Sequence, residues 1–519
     1  RFASRLVCDK QPDRVLDLVV IVVYLVVIAT IGLRISGKQR SATDYFVGEG
    51  DLSWWAVCFS IVATETSTLT VISVPGVAYL GAYGFVELAF GYLLGRSIVA
   101  IVLLPLYARG NLVSAYQYLG LRFGPKVQGL ASATFLITRL LAEGVRLFAS
   151  AIPIALLLAA IGVHANYLEI IVVLAGVTVA YTYIGGIRAV VWTDAIQMML
   201  YIGGAILSAG ILLHGTSLAD LDHAFAAGKF EVFNFHAPIL TSPFAFVAAI
   251  FGGAVFTMAS HGADQLMVQR ILACRNLRDS RKAMIGSAVF VMLQFALFSL
   301  VGTLLWIKFG GRTPAQLGLA GPDDLFPEFI IRGLPPGISG LMVAGILGAT
   351  MGSLSSAMNS MSNSTLTDLI RLFGRREYGD RTMLRISRIS TLFWAGALVG
   401  FASLFTDTHS PVVVLGLSIT GYTYGALLGA FLLGLLIKRA NQRDGAIAFI
   451  ATVVIMAVVV LAVKIHGHSL AFTWYVPIGV AITLLVGGGL SLTHPREQQG
   501  LAGMAPGDTA GQQRSVEPR

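Results

Sequence analysis

Charged residues are scarce in this chain of 519 residues: Asp, Glu, Lys and Arg make up 12%, whereas soluble domains typically carry about a quarter. Apolar residues make up 56%, and the mean hydropathy is +0.78. No long polar block interrupts the apolar stretches between residues 16 and 492. This composition argues against several soluble domains and predicts one large membrane domain.

Cysteines and catalytic motifs are also lacking. Cys8, Cys58 and Cys274 have no spacing suited to a disulfide framework or a metal site. The sequence contains no Gly-rich phosphate loop, no His-Glu-x-x-His motif and no nucleophile elbow that fits its context. We therefore predict that the protein is not an enzyme.

Apolar runs of about twenty residues, the length that crosses a bilayer, recur along the chain. They predict an all-α polytopic fold, with thirteen transmembrane helices in a domain covering residues 15–494. The predicted helices are 16–35, 53–80, 85–107, 129–160, 166–184, 190–213, 243–268, 284–307, 337–368, 389–406, 411–437, 445–464 and 472–492. The polar tail 495–519, rich in Gly, Pro and Gln, is expected to be disordered.

The loops between these helices carry an asymmetric charge. Most of the 36 Lys and Arg residues fall on one set of alternate loops, and such loops face the cytoplasm. We therefore expect a multi-pass plasma-membrane protein with segment 1–14 outside the cytoplasm and the C-terminus inside. The net charge of +9 then reflects membrane topology, so no nucleic-acid partner is needed to explain it.

The order of the helices predicts two repeats of opposite orientation. Five helices lie within residues 53–213 and the next five within residues 243–438. Because five is odd, two consecutive blocks of five helices must be inverted relative to each other. Many secondary transporters use inverted repeats around a binding site at the bilayer midplane.

The second predicted helix contains a polar cluster near its middle. Six polar residues lie within residues 64–70, among them Glu65 and Ser67, and Pro75 and Gly76 follow. A charge at this depth needs a partner or water. We predict a helix broken at Ala63–Ser67, whose free carbonyl groups face a cavity and bind a cation. The alternative is a buried kink stabilised by neighbouring helices.

The ninth predicted helix is rich in hydroxyl groups, including those of Ser353, Ser355 and Ser356. Small hydroxyl residues commonly line contacts between membrane helices. Hydroxyl and carbonyl oxygens are also the ligands of hard cations, and they suit neither zinc nor copper. The density of hydroxyls here favours a cation site.

Ionisable residues occur inside three other predicted helices. Asp194, with Gln197 on the same face, is a candidate ion ligand or a structural partner of Arg188 or another cation. Arg139, Glu143 and Arg146 share one face of the fourth helix. This ladder, taken alone, has one positive charge left over for an anionic substrate. His261, Asp264 and Gln265 are expected to line an inner gate.

Four stretches together resemble the sodium/solute symporter family over nearly the whole chain. They are SATDYFVGEGDLSWWAVCFSIVATE at 41–65, GGIRAVVWTDAIQ at 185–197, HGADQLMVQRILA at 261–273 and GSLSSAMNS at 352–360. The resemblance implies an inverted-repeat fold of the leucine-transporter type. It also implies inward sodium flow coupled to uptake of a solute.

The resemblance further implies a main sodium site. Its ligands are backbone oxygens at Ala63, Thr66 and Ala349 and the hydroxyl of Ser353. Many members carry another hydroxyl just before that serine, where this chain has Gly352. Some relatives hold a second sodium with residues that match Asp194, Ser355 and Ser356.

For the solute, the positions matching Ser67, Thr70 and Glu87 are contact residues in relatives. The arginine that clamps a carboxylate in acidic-sugar transporters falls on Ala142, with Arg139 and Arg146 within one turn. We add Arg146 and Asp264 to the candidate substrate-binding residues.

These observations predict a sodium-coupled symporter that imports a small polar organic solute, namely a sugar, an amino acid or a carboxylate, by alternating access. A proton-coupled transporter is the nearest alternative, because Glu65, Asp194 and Asp264 are all protonatable. A membrane-embedded solute sensor is a further alternative.

Overall fold

The computed structural model describes residues 15–35, 41–46, 48, 52–108, 112–160, 165–374, 379–404, 412–467 and 469–493. The predicted segments 1–14 and 495–519 lie outside these ranges. The helices are α1 Val15–Ile35, α2 Ala42–Phe46, α3 Trp54–Glu65, α4 Thr68–Leu80, α5 Gly84–Val102, α6 Leu104–Ala108, α7 Ala115–Phe123, α8 Pro125–Ala160, α9 Tyr167–His214, α10 Leu218–Ala226, α11 Gly253–Gly262, α12 Gln265–Leu272, α13 Leu277–Lys308, α14 Leu325–Gly333, α15 Ile338–Ser364, α16 Arg371–Phe373, α17 Asp380–Ala402, α18 Val412–Leu436, α19 Gln442–Ile465 and α20 Tyr475–Ser491. Within the described ranges the only β-pairing is an isolated bridge between Leu52 and Cys274.

The predicted all-α membrane fold is confirmed. Among the described residues, eight helices are long and apolar enough to cross a membrane, and the bent pair α3–α4 makes a ninth candidate. The number of thirteen spans and the bounds of the two repeats stay predictions.

Two predicted spans form one assigned helix, α9, because only a single residue interrupts the helical backbone between them. Gly186 has a φ of 56°, a value that favours glycine. A Cβ atom at this position would lie 2.6 Å from the carbonyl oxygen of Tyr45. The Tyr45 hydroxyl in turn donates to the Thr182 carbonyl at 3.0 Å. Gly186 therefore allows both the sharp kink and the close approach of α2.

The predicted break in the second span is confirmed. Helix α3 ends at Glu65 and α4 begins at Thr68, with a bend of 62° between the two segments. Thr66 has a non-helical ψ of 87°, and Ser67 is extended with a ψ of 174°. The Ser67 side chain does not cap α4, which leaves it available to a neighbouring cavity.

Helix α15 lies at the centre of the fold, where every residue from 342 to 364 is buried. It packs against α9, α8 and α1 as well as both halves of the broken helix. Its hydroxyl-rich surface therefore faces other helices rather than lipid, as polar residues in a membrane require. Asp17 of α1 holds its N-terminal end, accepting hydrogen bonds from the backbone N–H groups of Gly337 and Gly340 at 2.6 and 2.8 Å.

Candidate functional site

A cavity lies beside the break between α3 and α4. It is bordered by the broken helix, α5, α8, α11, α12, α13 and α18. The lining residues are Glu65, Ser67, Thr70, Phe85, Tyr92, Arg139, Arg146, Phe256, Ser260, His261, Met267, Phe295, Leu417, Thr420 and Tyr424. Three of the five predicted substrate residues, Ser67, Thr70 and Arg146, are therefore in its wall.

The aromatic part of this wall was not anticipated from the sequence. Phe85 and Tyr92 come from α5, Phe256 from α11 and Phe295 from α13. Tyr92 stacks on Phe256 with their ring planes at 15°, and Phe85 meets Phe295 with a centroid separation of 5.3 Å. Aromatic residues are common in apolar spans, so no sequence pattern singled these out.

The charged ladder of α8 forms as predicted, but it includes another residue. Glu143 Oε1 accepts from Arg139 Nη1 at 3.1 Å and from Arg146 Nη1 at 3.0 Å. Arg139 Nη2 donates to Asp264 Oδ2 at 2.6 Å, and the Tyr424 hydroxyl donates to the same oxygen at 2.7 Å. The left-over positive charge inferred from α8 alone is therefore balanced by Asp264.

Asp264 lies behind Arg139 and is not among the lining residues. It is the N-cap of α12, where its Oδ1 accepts from the Leu266 backbone N–H at 2.8 Å. One carboxylate thus caps a helix and anchors an arginine. Arg146 differs from Arg139 because its side chain is 13% exposed and its Nε makes no hydrogen bond within the described part of the chain.

Glu65 faces the cavity and has the partner that its depth requires. Arg96 Nη2 donates to Glu65 Oε2, and Arg96 Nη1 donates to the Ser287 hydroxyl at 2.8 Å. His261 Nε2 lies 3.6 Å from the same Glu65 oxygen. Arg96 lies within the predicted helix 85–107, but its partner could not be read from the sequence.

Glu87 is fully buried and is not among the residues that line the cavity. Its Oε1 accepts from the backbone N–H of Asn234 at 3.0 Å. The structure thus joins Glu87 to the loop between α10 and the π-helical turn Ala248–Gly252.

The two predicted walls of the main sodium site are brought together. On one side of the break, Thr64 Oγ1 lies 3.3 Å from Ser356 Oγ, and on the other, Thr68 Oγ1 donates to the Ile346 carbonyl at 3.2 Å. Ala63 and Thr66 thus belong to the stretch of chain that faces the part of α15 carrying Ala349. Ser353, one turn further along α15, donates to the Thr350 carbonyl at 3.0 Å.

The predicted ligands of a second ion also meet, around Asp194. Its Oδ2 accepts from the hydroxyls of Ser60 at 2.8 Å and Thr64 at 3.4 Å. Arg270 Nη2 lies 3.4 Å from the same oxygen and also donates to Ser356 Oγ. The cation that pairs with Asp194 is therefore Arg270, which the sequence did not single out, and not Arg188.

Ser355 belongs to the same region, but its hydroxyl donates to the Gly352 carbonyl at 3.0 Å. The Ser356 hydroxyl donates to the same carbonyl at 2.6 Å, but Ser356 also shares the Arg270 guanidinium with Asp194. Arg270 lies in one of the quoted family stretches, yet nothing in its sequence context indicated that it reaches α9 and α15.

A helical membrane fold with a broken helix, a cavity at the break and oxygen-rich walls defines a secondary transporter. The sequence profile of the sodium:solute symporter family matches residues 45–454. The chain belongs to this family, and sodium is its coupling ion.

Similar proteins in the same family have several solutes. The chain is 28% identical to the human sodium/iodide cotransporter, with 82% of this chain and 66% of that protein covered. It is 26% identical to the sodium/sialic acid symporter SiaT of Proteus mirabilis, with 89% of this chain and 92% of that protein covered. It is 27% identical to human sodium-coupled monocarboxylate transporter 1, with 84% of this chain and 71% of that protein covered.

A solved structure of a sodium-coupled sialic acid symporter, in a substrate-bound outward-open state, shares the fold. Its TM-score is 0.80 at 23% identity, with 93% of this chain and 98% of that chain covered. This likeness confirms the predicted helical fold, and the family match confirms the predicted family and its coupling ion. The individual site residues stay predictions.

Proposed function

We propose that this protein imports a small organic anion, in particular a carboxylate, together with sodium by alternating access. The observation that carries this proposal is the position of Arg146, whose partly exposed guanidinium lines the cavity with only one side held by Glu143. Among the predicted classes of solute, an anion gains most from a cation in a site shielded from water.

The N-terminal end of α4 supports the same solute class. Ser67 and Thr70 of its first turn line the cavity, and Ser67 makes no capping hydrogen bond. Half-helix N-termini in broken transporter helices favour anionic groups because their N–H groups carry partial positive charge. The aromatic wall suits an apolar body attached to the anionic group.

The solutes of the similar proteins agree with an anionic solute. Iodide and monocarboxylates are anions, and sialic acid carries a carboxylate. A neutral sugar would offer Arg146 no charge beyond that of Glu143, its partner on α8, whereas an anion would add a second charged contact.

The ion pairs of the three candidate carboxylates favour sodium over protons as the driving ion. Glu65, Asp194 and Asp264 each contact an arginine, namely Arg96, Arg270 and Arg139. Each of the three is already engaged in an ion pair, so a protonation step would have to break that pair in every transport cycle.

The proposal is tested with purified protein in proteoliposomes. Uptake of radiolabelled lactate, pyruvate, nicotinate and sialic acid is compared with uptake of glucose, galactose and proline, under an inward sodium gradient or an inward proton gradient. We expect uptake of at least one anion that requires the sodium gradient and is competed by other anions. Sodium-driven uptake confined to neutral solutes would contradict the anion assignment, and uptake driven by protons without sodium would contradict the coupling.

A further inference from the structure

Residues 232–240, in the loop after α10, have the composition of a membrane segment although they form no helix. No Asp, Glu, Lys or Arg occurs between Glu231 and Asp264, and the sole ionisable side chain of residues 232–240 is His236. The next helical turn begins only at Ala248. By contrast, residues 218–231 contain four charged side chains. A loop that faces water would be expected to carry such charges throughout.

The backbone of this segment turns its polar groups toward the protein. The Asn234 N–H donates to Glu87 Oε1 at 3.0 Å, and the Asn234 carbonyl accepts from the Phe246 N–H at 2.9 Å. The Asn234 side chain accepts from two further backbone N–H groups of the segment, at 3.1 and 2.9 Å. The neighbouring side chains of Phe233 and Phe235 are 37% and 67% exposed. The segment therefore presents aromatic rings outward while its polar groups are bonded inside.

At one end, the exposed rings continue a surface that faces lipid. The Phe233 ring lies 5.3 Å from the ring of Phe90, and the Phe235 ring lies 4.6 Å from the ring of Phe246. Phe90 belongs to α5, which is part of a candidate membrane span, and Leu94 follows one turn later with 50% exposure. The apolar surface of the segment is thus continuous with the exposed face of a span.

At the other end, the segment is bonded to the start of a second span. The Leu240 carbonyl accepts from the Ala471 N–H at 2.8 Å, and the Ile239 carbonyl accepts from Trp474 Nε1 at 2.8 Å. These bonds lie at the beginning of the candidate span Phe472–Ser491. The side chains of Ile239 and Leu240 nevertheless remain 50% and 63% exposed. The segment therefore runs along the rim of the bundle between α5 and α20.

A large exposed apolar surface of this kind is covered either by a membrane or by another protein. Lipid is favoured here because the segment lies between two helices whose exposed faces are candidate membrane surfaces. Protein interfaces usually have a polar, charged rim, whereas this segment offers no Asp, Glu, Lys or Arg to a partner. Tryptophan residues such as Trp474, at the end of a span, are typical of the boundary between lipid and water.

We infer that residues 232–240 are a membrane anchor that does not span the bilayer, with Phe233, Phe235, Ile239 and Leu240 inserted among the lipid chains. The anchor holds the loop that contacts Glu87 at the level of the membrane surface. Because the segment carries no Lys or Arg, its binding requires no anionic headgroup. The inference depends on neither the solute nor the coupling ion.

The test measures where these side chains lie in a bilayer. Phe235 and Leu240 are replaced singly by cysteine in the full chain carrying Cys8→Ser, and each variant is labelled with the fluorophore NBD in phosphatidylcholine proteoliposomes. Quenching by a nitroxide on the lipid chain is compared with quenching by a cationic water-soluble nitroxide. The parent with Cys8→Ser alone gives the background from Cys58 and Cys274, which are both buried.

Two exposed positions are the matched controls. Leu94→Cys on α5 reports a label in lipid, and Asp222→Cys on α10 reports a label in water. We expect the ratio of lipid quenching to aqueous quenching at positions 235 and 240 to be about tenfold above that of Asp222→Cys and close to that of Leu94→Cys. The ratio should not change when phosphatidylglycerol is added to the vesicles.

A charge in the segment should withdraw it from lipid. With the label at position 240, Phe235→Asp should lower the ratio, because a carboxylate is costly among lipid chains, whereas Phe235→Leu should retain it. A ratio equal to that of Asp222→Cys at both labelled positions would place the segment in water and overturn the inference. Weak quenching from both sides would show that protein, such as a second copy of the chain, covers the segment, and this would overturn it too. If Phe235→Cys does not fold, the label at position 240 decides.

Discussion

Arg139 of α8 and Asp264 at the start of α12 form a buried ion pair, with Arg139 Nη2 and Asp264 Oδ2 separated by 2.6 Å. The Arg139 and Asp264 side chains are 3% and 1% exposed. Because Asp264 also caps α12, this pair connects the wall of the cavity to the helix that carries Arg270, and Arg270 contacts the candidate ion ligands. The solute cavity and the ion site are therefore joined by one short helix.

Removal of one partner of this pair should be strongly destabilising. We expect Arg139→Leu to reduce the free energy of unfolding by about 3–5 kcal/mol, since it leaves a buried carboxylate without its cation. The measurement is the melting temperature of the detergent-solubilised protein.

The double variant Arg139→Leu with Asp264→Asn is the control for this prediction. It removes both charges and keeps a cap on α12, so it should be more stable than Arg139→Leu alone. Equal loss in the single and double variants would show that the ion pair is not the cause.

Arg146 provides a separate prediction about solute affinity. We expect Arg146→Gln to weaken binding of the transported anion by about ten- to hundredfold, corresponding to a charged hydrogen bond of about 1.5–3 kcal/mol. The measurement is competition for uptake, or the shift in melting temperature with the anion, at saturating sodium.

Arg332→Gln is the matched control for Arg146→Gln. Arg332 also pairs with a glutamate on its own helix, Glu328 at 2.8 Å, but its side chain is 63% exposed and lies in α14, outside the cavity wall. The control should leave anion affinity unchanged. If Arg146→Gln retains wild-type affinity, the anion is held elsewhere and the proposed solute class loses its main support.

The break in the helix could be predicted from the sequence, whereas the side chains that form ion pairs with each other could not. The break near Glu65 was predictable because a run of polar residues that includes a carboxylate is unfavourable in a continuous lipid-facing helix, and the structure has it where expected. Arg96 and Arg270 were visible as cations, but several carboxylates lie at similar depths. Only the packing of α5 and α12 against α3 and α9 decides which cation meets which acid.

Glu87 stays a predicted solute contact, although it is not among the residues that line the cavity. The matching position contacts solute in relatives, but here its Oε1 accepts from the Asn234 backbone. A carboxylate accepts hydrogen bonds from a solute hydroxyl and from a backbone N–H equally well. The residue type alone therefore does not distinguish a solute contact from a contact with the loop after α10.

Asp17 gives a stability prediction outside the candidate sites. Its two oxygens accept from Gly337 N–H, Gly340 N–H and the Ser339 hydroxyl, at 2.6, 2.8 and 2.7 Å. We expect Asp17→Ala to reduce the free energy of unfolding by about 1–3 kcal/mol, because buried donors at the start of α15 lose their acceptor.

The exposed N-terminal cap of α10 offers a comparison for Asp17. Asp220 accepts from the Ser217 backbone N–H at 3.0 Å, but this contact is solvent-exposed, so water can replace the lost hydrogen bond. Asp220→Ala should therefore have a much smaller effect on the melting temperature. Similar losses in the two variants would contradict the importance of burial at Asp17.

Lys229 gives the last prediction, which concerns the loop after α10. Its Nζ donates to the carbonyls of Tyr79 and Gly81 at 2.8 and 3.0 Å, at the C-terminal end of α4, and lies 5.1 Å from the ring of Trp306. Burial lowers the pKa of this amine, so the two carbonyls and the ring replace lost hydration. The loop makes one further backbone contact nearby, from Tyr83 N–H to the Glu231 carbonyl at 3.0 Å.

We expect Lys229→Met to release the loop from α4, the second half of the broken helix, since a positive charge at a helix C-terminus is stabilising and methionine cannot donate. The measurement is backbone hydrogen exchange over residues 227–235, which should become faster, with little change in α15. Lys308→Met is the control, because Lys308 also lies over an aromatic ring, Phe329 at 5.5 Å. Unchanged exchange in Lys229→Met would mean that the backbone contacts alone hold the loop, and faster exchange throughout the protein would indicate global destabilisation instead.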